Sequence, residues 1–140
     1  MSFDIKVLKQ EGPRIFPGLE FTVPAIRGGG KLAQLVIKCL LTNPGSDAFD
    51  PDWGAGLRDL MPKFGGVQHE ALAEGRAMIA VNRAEKIIKE DQSIANLSDD
   101  ELLSSLTLRE VSFDEQALAW NVDIAIRSIS GRVNAVEVTV

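Results

Sequence analysis

Leu118, Trp120, Val122, Ile124 and Ile126 alternate with Ala119, Asn121, Asp123, Ala125 and Arg127. This is the period-two spacing of a strand with one apolar and one mostly polar face. After a turn at Ser130-Gly131, Val136, Val138 and Val140 alternate with Glu137 and Thr139 in a last strand. Upstream, Leu106 and Leu108 share one parity and Val111 and Phe113 the other, and a bulge near Arg109-Glu110 brings all four to one face. Asp114-Glu115-Gln116 is the expected hairpin turn between these strands. Helical spacing governs two earlier segments. Leu32, Leu35, Val36, Cys39 and Leu40, widened by Ile37 and Leu41, predict a heavily buried helix over 31–41. Ala77, Ala80, Val81, Ala84, Ile87 and Ile88 predict a long helix over 68–89, with Glu70 and Glu74 near its start and Lys86 and Lys89 near its end, as the helix dipole prefers. Ser98-Asp99-Asp100-Glu101 reads as a capping box opening one further short helix.

Between these elements the chain is punctuated by Pro and Gly. Phe3, Ile5 and Val7 alternate with Asp4 and Lys6 as a short strand, and Gly12, Pro13, Pro17, Gly18 and Pro24 mark a loop-rich arm over 1–27. Arg27-Gly28-Gly29-Gly30-Lys31 reads as a flexible joint before the first helix, which Asn43-Pro44-Gly45 ends, since a residue before proline disfavours the α region. An irregular stretch follows over 44–67, interrupted by one helical turn at 57–61; loops this long inside compact domains are usually functional. The sum is a single domain of the α+β class, a small antiparallel β-sheet packed with one short and one long helix, with 28–140 carrying the helices and the C-terminal meander.

Composition narrows the function classes. With 140 residues, 45% hydrophobic and 25% charged, the chain suits one core. A net charge of −5 and the absence of a basic run argue against nucleic acid as a partner. The best apolar stretch, Leu32 to Leu41, is interrupted by Gln34 and Lys38 and falls short of the about 20 residues a bilayer needs, so no membrane role is expected. The start MSFDIKVLKQ lacks a secretory layout, which places synthesis in the cytoplasm. Cys39 is the only cysteine and His69 the only histidine, so an internal disulfide and a Cys-based zinc cluster are excluded and a His-rich metal site is unsupported. Cys39 is expected to be a buried small hydrophobe, and His69 to face solvent or cap the second helix. Gly28-Gly29-Gly30-Lys31 lacks P-loop spacing, with Leu32 where Ser or Thr is required, and is read as a hinge. No cofactor is expected.

The segment over 40–57, Leu-Leu-Thr-Asn-Pro-Gly-Ser-Asp-Ala-Phe-Asp-Pro-Asp-Trp-Gly-Ala-Gly-Leu, resembles the hallmark of the baseplate wedge family of contractile phage tails and related injection machines, many of whose members carry a lysozyme-like label. Thr42, Pro44, Gly45, Pro51, Trp53, Gly54, Gly56 and Leu57 fit its pattern, and the likeness extends in order over nearly the whole chain, from Phe3-Asp4 to the C-terminal hairpin. Two departures stand out. Gly45-Ser46-Asp47 replaces the family's Gly-Glu-Arg, and Asp91-Gln92-Ser93-Ile94 replaces a Glu-Pro-Arg-Ile stretch after the long helix, removing charges expected to help bind neighbouring wedge subunits. The resemblance implies a structural, non-enzymatic subunit in the virion's tail baseplate, assembled in the host cytoplasm, six copies per baseplate. Its implied partners are other wedge proteins, through the loop at Pro44–Leu57, and the first ring of tail sheath, through β-augmentation on the last strand at Val133, Val136, Val138 and Val140.

The residues carry part of this reading unaided. Pro51 fixes φ, and Gly54 and Gly56 permit backbone angles closed to other residues, so the loop is expected to be rigid. Trp53 anchors it, or simply covers the helices as a core residue; the two are compatible. Asp47, Asp50 and Asp52 lie close in sequence, yet an EF-hand loop counted from Asp50 puts Met61 at its twelfth position, where Glu is required. A peptidoglycan hydrolase using these aspartates is the alternative function; it needs two carboxylates held about 5–9 Å apart across a sugar cleft.

Overall fold

Strand β6 (Ala119–Ser128) buries Trp120, Val122, Ile124 and Ile126 and turns Asn121, Ala125 and Arg127 outward, so its period-two pattern reads directly as core face and outer face. Strand β5 (Leu103–Asp114) pairs antiparallel to it, placing Leu106 opposite Ile126, Leu108 opposite Ile124, Val111 opposite Val122 and Phe113 opposite Trp120. The register shifts between Leu108 and Glu110, so Arg109 is the extra residue that the parity change called for. Strand β7 (Val133–Thr139) flanks the other side of β6 and sets Val136 against Ile124 and Val138 against Val122. The computed structural model describes residues 28–140, apart from the side chain of Val67, and before them the backbone of β1 (Asp4–Ile5), β2 (Leu8–Glu11), β3 (Arg14–Pro17) and β4 (Ala25–Ile26). Phe3, Lys6, Val7, Gly12, Pro13, Gly18, Pro24 and Arg27 lie outside the described residues, whereas Pro17 closes β3.

The sheet order is β2-β3-β7-β6-β5, and β1 pairs separately with β4. The meander β5–β6–β7 is antiparallel, as expected, while β3 joins β7 in parallel register, Arg14 with Ala135 and Ile15 with Val136. Helices α1 (Gly29–Leu41) and α3 (Glu70–Gln92) pack together on the inner face of the sheet, and a single turn, α2 (Leu57–Leu60), rests against both. The core runs between these layers through Leu32, Val36, Leu40, Val81, Ala84 and Ile88 to Val122 and Ile124.

Several expectations are corrected. Gly29 and Gly30 belong to α1, not to a flexible joint. Gly29 is buried, and a Cβ there would come within 2.8 Å of the Asn134 side chain, so close packing against β7 explains the small residue. No helix forms at Ser98–Glu101. One turn closes, with Glu101 and Leu102 both donating backbone N–H groups to the Ser98 carbonyl, and then Leu103 enters β5, held by the side chain of Gln92. The β5–β6 turn is longer than three residues. The Asp114 carboxylate accepts from the N–H groups of Gln116 and Ala117, and Leu118 lies in the turn, outside β6, at φ +51°. A leucine in the left-handed region is strained by about 1–2 kcal/mol. Leu118→Asn is therefore expected to raise stability by roughly 0.5–1 kcal/mol in a urea melt, because asparagine tolerates this region.

Edge protection is built into β5. Its N–H at Leu106 donates to Glu85 Oε2 of α3 at 3.1 Å, its N–H at Leu103 donates to Gln92 Oε1 at 2.8 Å, and beyond Leu108 the bulge and the exposed pair Arg109 and Glu110 interrupt the edge. Lys89 Nζ holds the other Glu85 oxygen at 2.6 Å. Burial acts to raise the Glu85 pKa, but the hydrogen bonds from Lys89 and the Leu106 backbone, with the Lys89 charge, outweigh it and hold the carboxyl below its ordinary value. A carboxyl held low in the folded chain stabilises it above the unfolded value, about 4.3, and that contribution is lost as pH falls through the lower folded value. Glu85→Gln is expected to be less stable than the parent chain near pH 7, with the gap closing below about pH 4. Urea melts across that range check it.

Candidate functional site

The motif residues come together as one loop folded over the end of α1. Thr42 stops the helix in an extended conformation, its N–H and Oγ1 both donating to the Lys38 carbonyl at 3.0 and 2.6 Å. The chain turns at Pro44-Gly45, and the Gly45 N–H donates to the Pro51 carbonyl at 2.6 Å, closing the neck of the loop. Within it the Asp47 carboxylate accepts from the Phe49 N–H at 2.8 Å and from the Asp50 N–H at 3.4 Å. The chain then returns along α1, with Ala55 donating to the Cys39 carbonyl at 2.8 Å and Gly56 to the Thr42 carbonyl at 3.0 Å. Ala55 and Leu57 are fully buried, and Arg83 of α3 donates to the Ala55 carbonyl.

Gly54 is the tightest point. Its φ is +120°, and a Cβ there would lie 2.3 Å from the Thr42 carbonyl oxygen. Trp53 is half-buried against the core, and its Nε1–H donates to Asp91 Oδ2 of α3 at 2.9 Å. It therefore serves both readings, anchor and core cover. Asp91 and Gln92, expected to follow the long helix, are its last two residues, so this bond ties the end of α3 to the motif loop, three residues before Ile94, which is 93% exposed. At the far end of the loop Phe49 is 100% exposed, with Asp47, Asp50 and Asp52 exposed around it.

Cys39 lies fully buried beneath this loop, as expected. Burial pushes its thiol up to about 12, the negative charge of Asp91 adds to the shift, and a hydrogen bond from the Ala55 backbone offsets part of it. Because the thiolate is the reactive form, Cys39 is expected to stay inert to an alkylating reagent at about pH 8 in the folded chain and to react only as the chain unfolds in denaturant. Mass spectrometry after timed labelling checks this.

The last strand departs from its expected role as an open edge. β7 is interior to the sheet, with β6 on one side and β3 on the other over Ala135 and Val136. Val136 and Val138 point into the core, Val140 is half-buried, and Val133 is half exposed. Alternation reports which face of a strand meets the core, not whether its backbone edge is paired, and here β3 takes the edge that β6 leaves. His69 lies in a 3-10 turn (Val67–His69) before α3 and makes no side-chain cap.

A second feature escaped the sequence reading. Trp120 Nε1–H donates to the Pro62 carbonyl at 3.0 Å, and Phe113 meets Trp120 edge to face at a centroid distance of 5.0 Å. The Phe113 ring also covers Gly65 so closely that a Cβ there would lie 1.9 Å from it. These contacts clamp loop 61–66 onto the turn end of the β5–β6 hairpin. Phe64, 78% exposed, stands as a ridge between a groove of about 460 Å³ and one of about 310 Å³. The larger groove runs from Arg58 and Lys63 past Phe64 to Phe113, Trp120 and Leu118, the last 78% exposed. Alternation assigned Trp120 and Phe113 to the core, and only Gly65-Gly66 beside Phe64 hinted at a close approach.

Among the described residues, no group of three or more His, Cys, Asp or Glu side chains is placed to hold a metal ion, and no helix is long and apolar enough to cross a membrane. No protein-family model, curated protein or solved structure matches the chain.

Proposed function

We propose that the chain is a structural baseplate wedge subunit of a contractile tail, which joins the wedge to the first sheath ring and initiates sheath assembly. The observation that carries this reading is the loop over 42–57: its backbone is fastened to α1, its tryptophan to α3, and it holds a fully exposed phenylalanine at its tip. Rigid loops that present an apolar side chain bind partners with little ordering cost. The residue pattern of that loop, which resembles the wedge family, supplies the class of partner: other wedge proteins and the tail sheath. The sheath contact by β-augmentation rests on that resemblance; on β7, Val133 at the start of the strand is half exposed. Six copies per baseplate follow from the tail's symmetry, and the role needs neither catalysis nor a cofactor.

No observation favours the hydrolase alternative, since Asp47 is engaged by two backbone N–H groups and Asp50 and Asp52 stand on the outside of a loop. The test is immunogold electron microscopy of purified contractile particles with antibody against this chain. Label confined to the junction of baseplate and sheath is expected; well-formed particles without the protein would overturn the reading. Deleting 132–140 is no test of sheath nucleation, because it removes Val136 and Val138 from the core.

A further inference from the structure

Phe49 and the groove beside Phe64 are complementary in apolar character and in charge, and they belong to different loops. Phe49 stands in solvent inside the sequence Asp47-Ala48-Phe49-Asp50-Pro51-Asp52, a large apolar side chain ringed by three exposed carboxylates. The groove has an apolar floor of Phe113 and Trp120, walls of Phe64 and Leu118, and a rim carrying Arg58 and Lys63; no acidic side chain lines it, and Asp59 lies across Phe64 in the adjoining groove. Both cations are exposed, on a chain whose net charge is −5. The loop cannot turn back into its own groove, because the bonds from Gly45 to Pro51 and from Trp53 to Asp91 fix its neck and base.

We propose that the Phe49 loop of one copy inserts into the Arg58–Lys63 groove of a second copy, head to tail. Phe49 fills the groove between Phe64 and Leu118, while Asp50 and Asp52 face the two cations. Such a contact is heterologous: each copy keeps a free plug and a free socket, so association continues into a ring or an open chain and does not stop at a two-fold dimer. Two local costs of the fold then have a reason. A phenylalanine left wholly in water and a leucine held at φ +51° with its side chain outward both contribute contact area once a neighbour docks. The inference holds whichever larger assembly the chain serves.

Sedimentation of the full chain at low salt, up to about 1 mM, reads the contact directly. The wild-type chain is expected to form concentration-dependent species larger than a monomer, which dissociate as salt is added. A plug variant, D50K/D52K, and a socket variant, R58E/K63E, change only exposed side chains. Each is expected to lose self-association by at least about tenfold, since like charges then face each other. Mixed together they are expected to reassociate, because every plug now meets a socket of opposite sign. A wild-type chain that remains monomeric, or a mixture that associates no better than either variant alone, overturns the proposal. Either result leaves the baseplate role to be decided by the electron microscopy, whereas particles lacking the protein, with self-association intact, would overturn that role and leave this contact standing.

Discussion

Gly54→Ala is expected to destabilise the chain by about 3–4 kcal/mol, an appreciable part of the 5–15 kcal/mol that holds a domain together. Two causes add. The backbone at φ +120° lies where L side chains are strained by about 1–3 kcal/mol. The new methyl would also lie 2.3 Å from the Thr42 carbonyl oxygen, a backbone atom that cannot swing aside as a side chain would. Thr42 must retreat, and the hydrogen bond it accepts from Gly56 at 3.0 Å lengthens with it. Gly45→Ala separates the two causes: its φ is +87°, but nothing lies within 4 Å of the added Cβ. That variant is expected to lose only the strain, about 1–2 kcal/mol. Urea melts of both give the comparison, and a Gly54 variant no worse than the Gly45 one would mean that the loop is not locked against the end of α1.

Gln92→Met is expected to cost about 2–4 kcal/mol, lowering the melting temperature by roughly 10 °C. Gln92 is buried near the end of α3, where its Nε2 donates to the Glu101 carbonyl and its Oε1 accepts from the Leu103 N–H, both at 2.8 Å. Methionine keeps the volume and removes both of these hydrogen bonds from a place water does not reach. Gln92→Glu distinguishes hydrogen bonding from packing. Ionised, it still accepts from Leu103 but sets a negative charge against the Glu101 carbonyl; protonated, its hydroxyl donates there. Burial raises its pKa in the folded chain, so its deficit against the parent is expected to shrink as pH falls from about 7 toward 5, while that of the Met variant stays constant. Thermal melts across this range check the difference.

Helices α1 and α3 and strands β5–β7 were legible because their apolar residues repeat at one period and the core accepts them unchanged, whereas β2, β3 and β4 lie in what read as a loop-rich arm. Trp120, Val122, Ile124 and Ile126 needed no tertiary information, and even the bulge at Arg109 showed as a break in parity. What misled was local chemistry outvoted by packing. Gly28-Gly29-Gly30 has hinge composition, yet the approach of Asn134 draws Gly29 into a helix. Ser98 and Glu101 have the spacing of a capping box, yet Gln92 pulls Leu103 into a strand. Leu118 fits the alternation of β6 but belongs to its turn, because the Asp114 carboxylate gathers two N–H groups there. In the motif loop the pattern of Pro, Gly and Trp conveyed rigidity, but the Trp53–Asp91 bond joins residues 38 apart and no local pattern signals it. The groove beside Phe64 was illegible for the same reason, since Trp120 and Pro62 meet across 58 residues.

The placement of α1 bears on how the chain emerges from the ribosome. α3, β5, β6 and β7 follow one another in sequence and pack chiefly on their neighbours, so that half closes through short loops and folds quickly once it is made. α1 is translated before this half, yet among the described residues its apolar side chains Leu32, Val36, Ile37 and Leu40 take much of their cover from α3, β6 and β7. Until β7 has left the exit tunnel, that cover is incomplete. Its most apolar face therefore spends the whole of synthesis in the nascent chain, the stretch where a trigger chaperone would bind and where aggregation would begin.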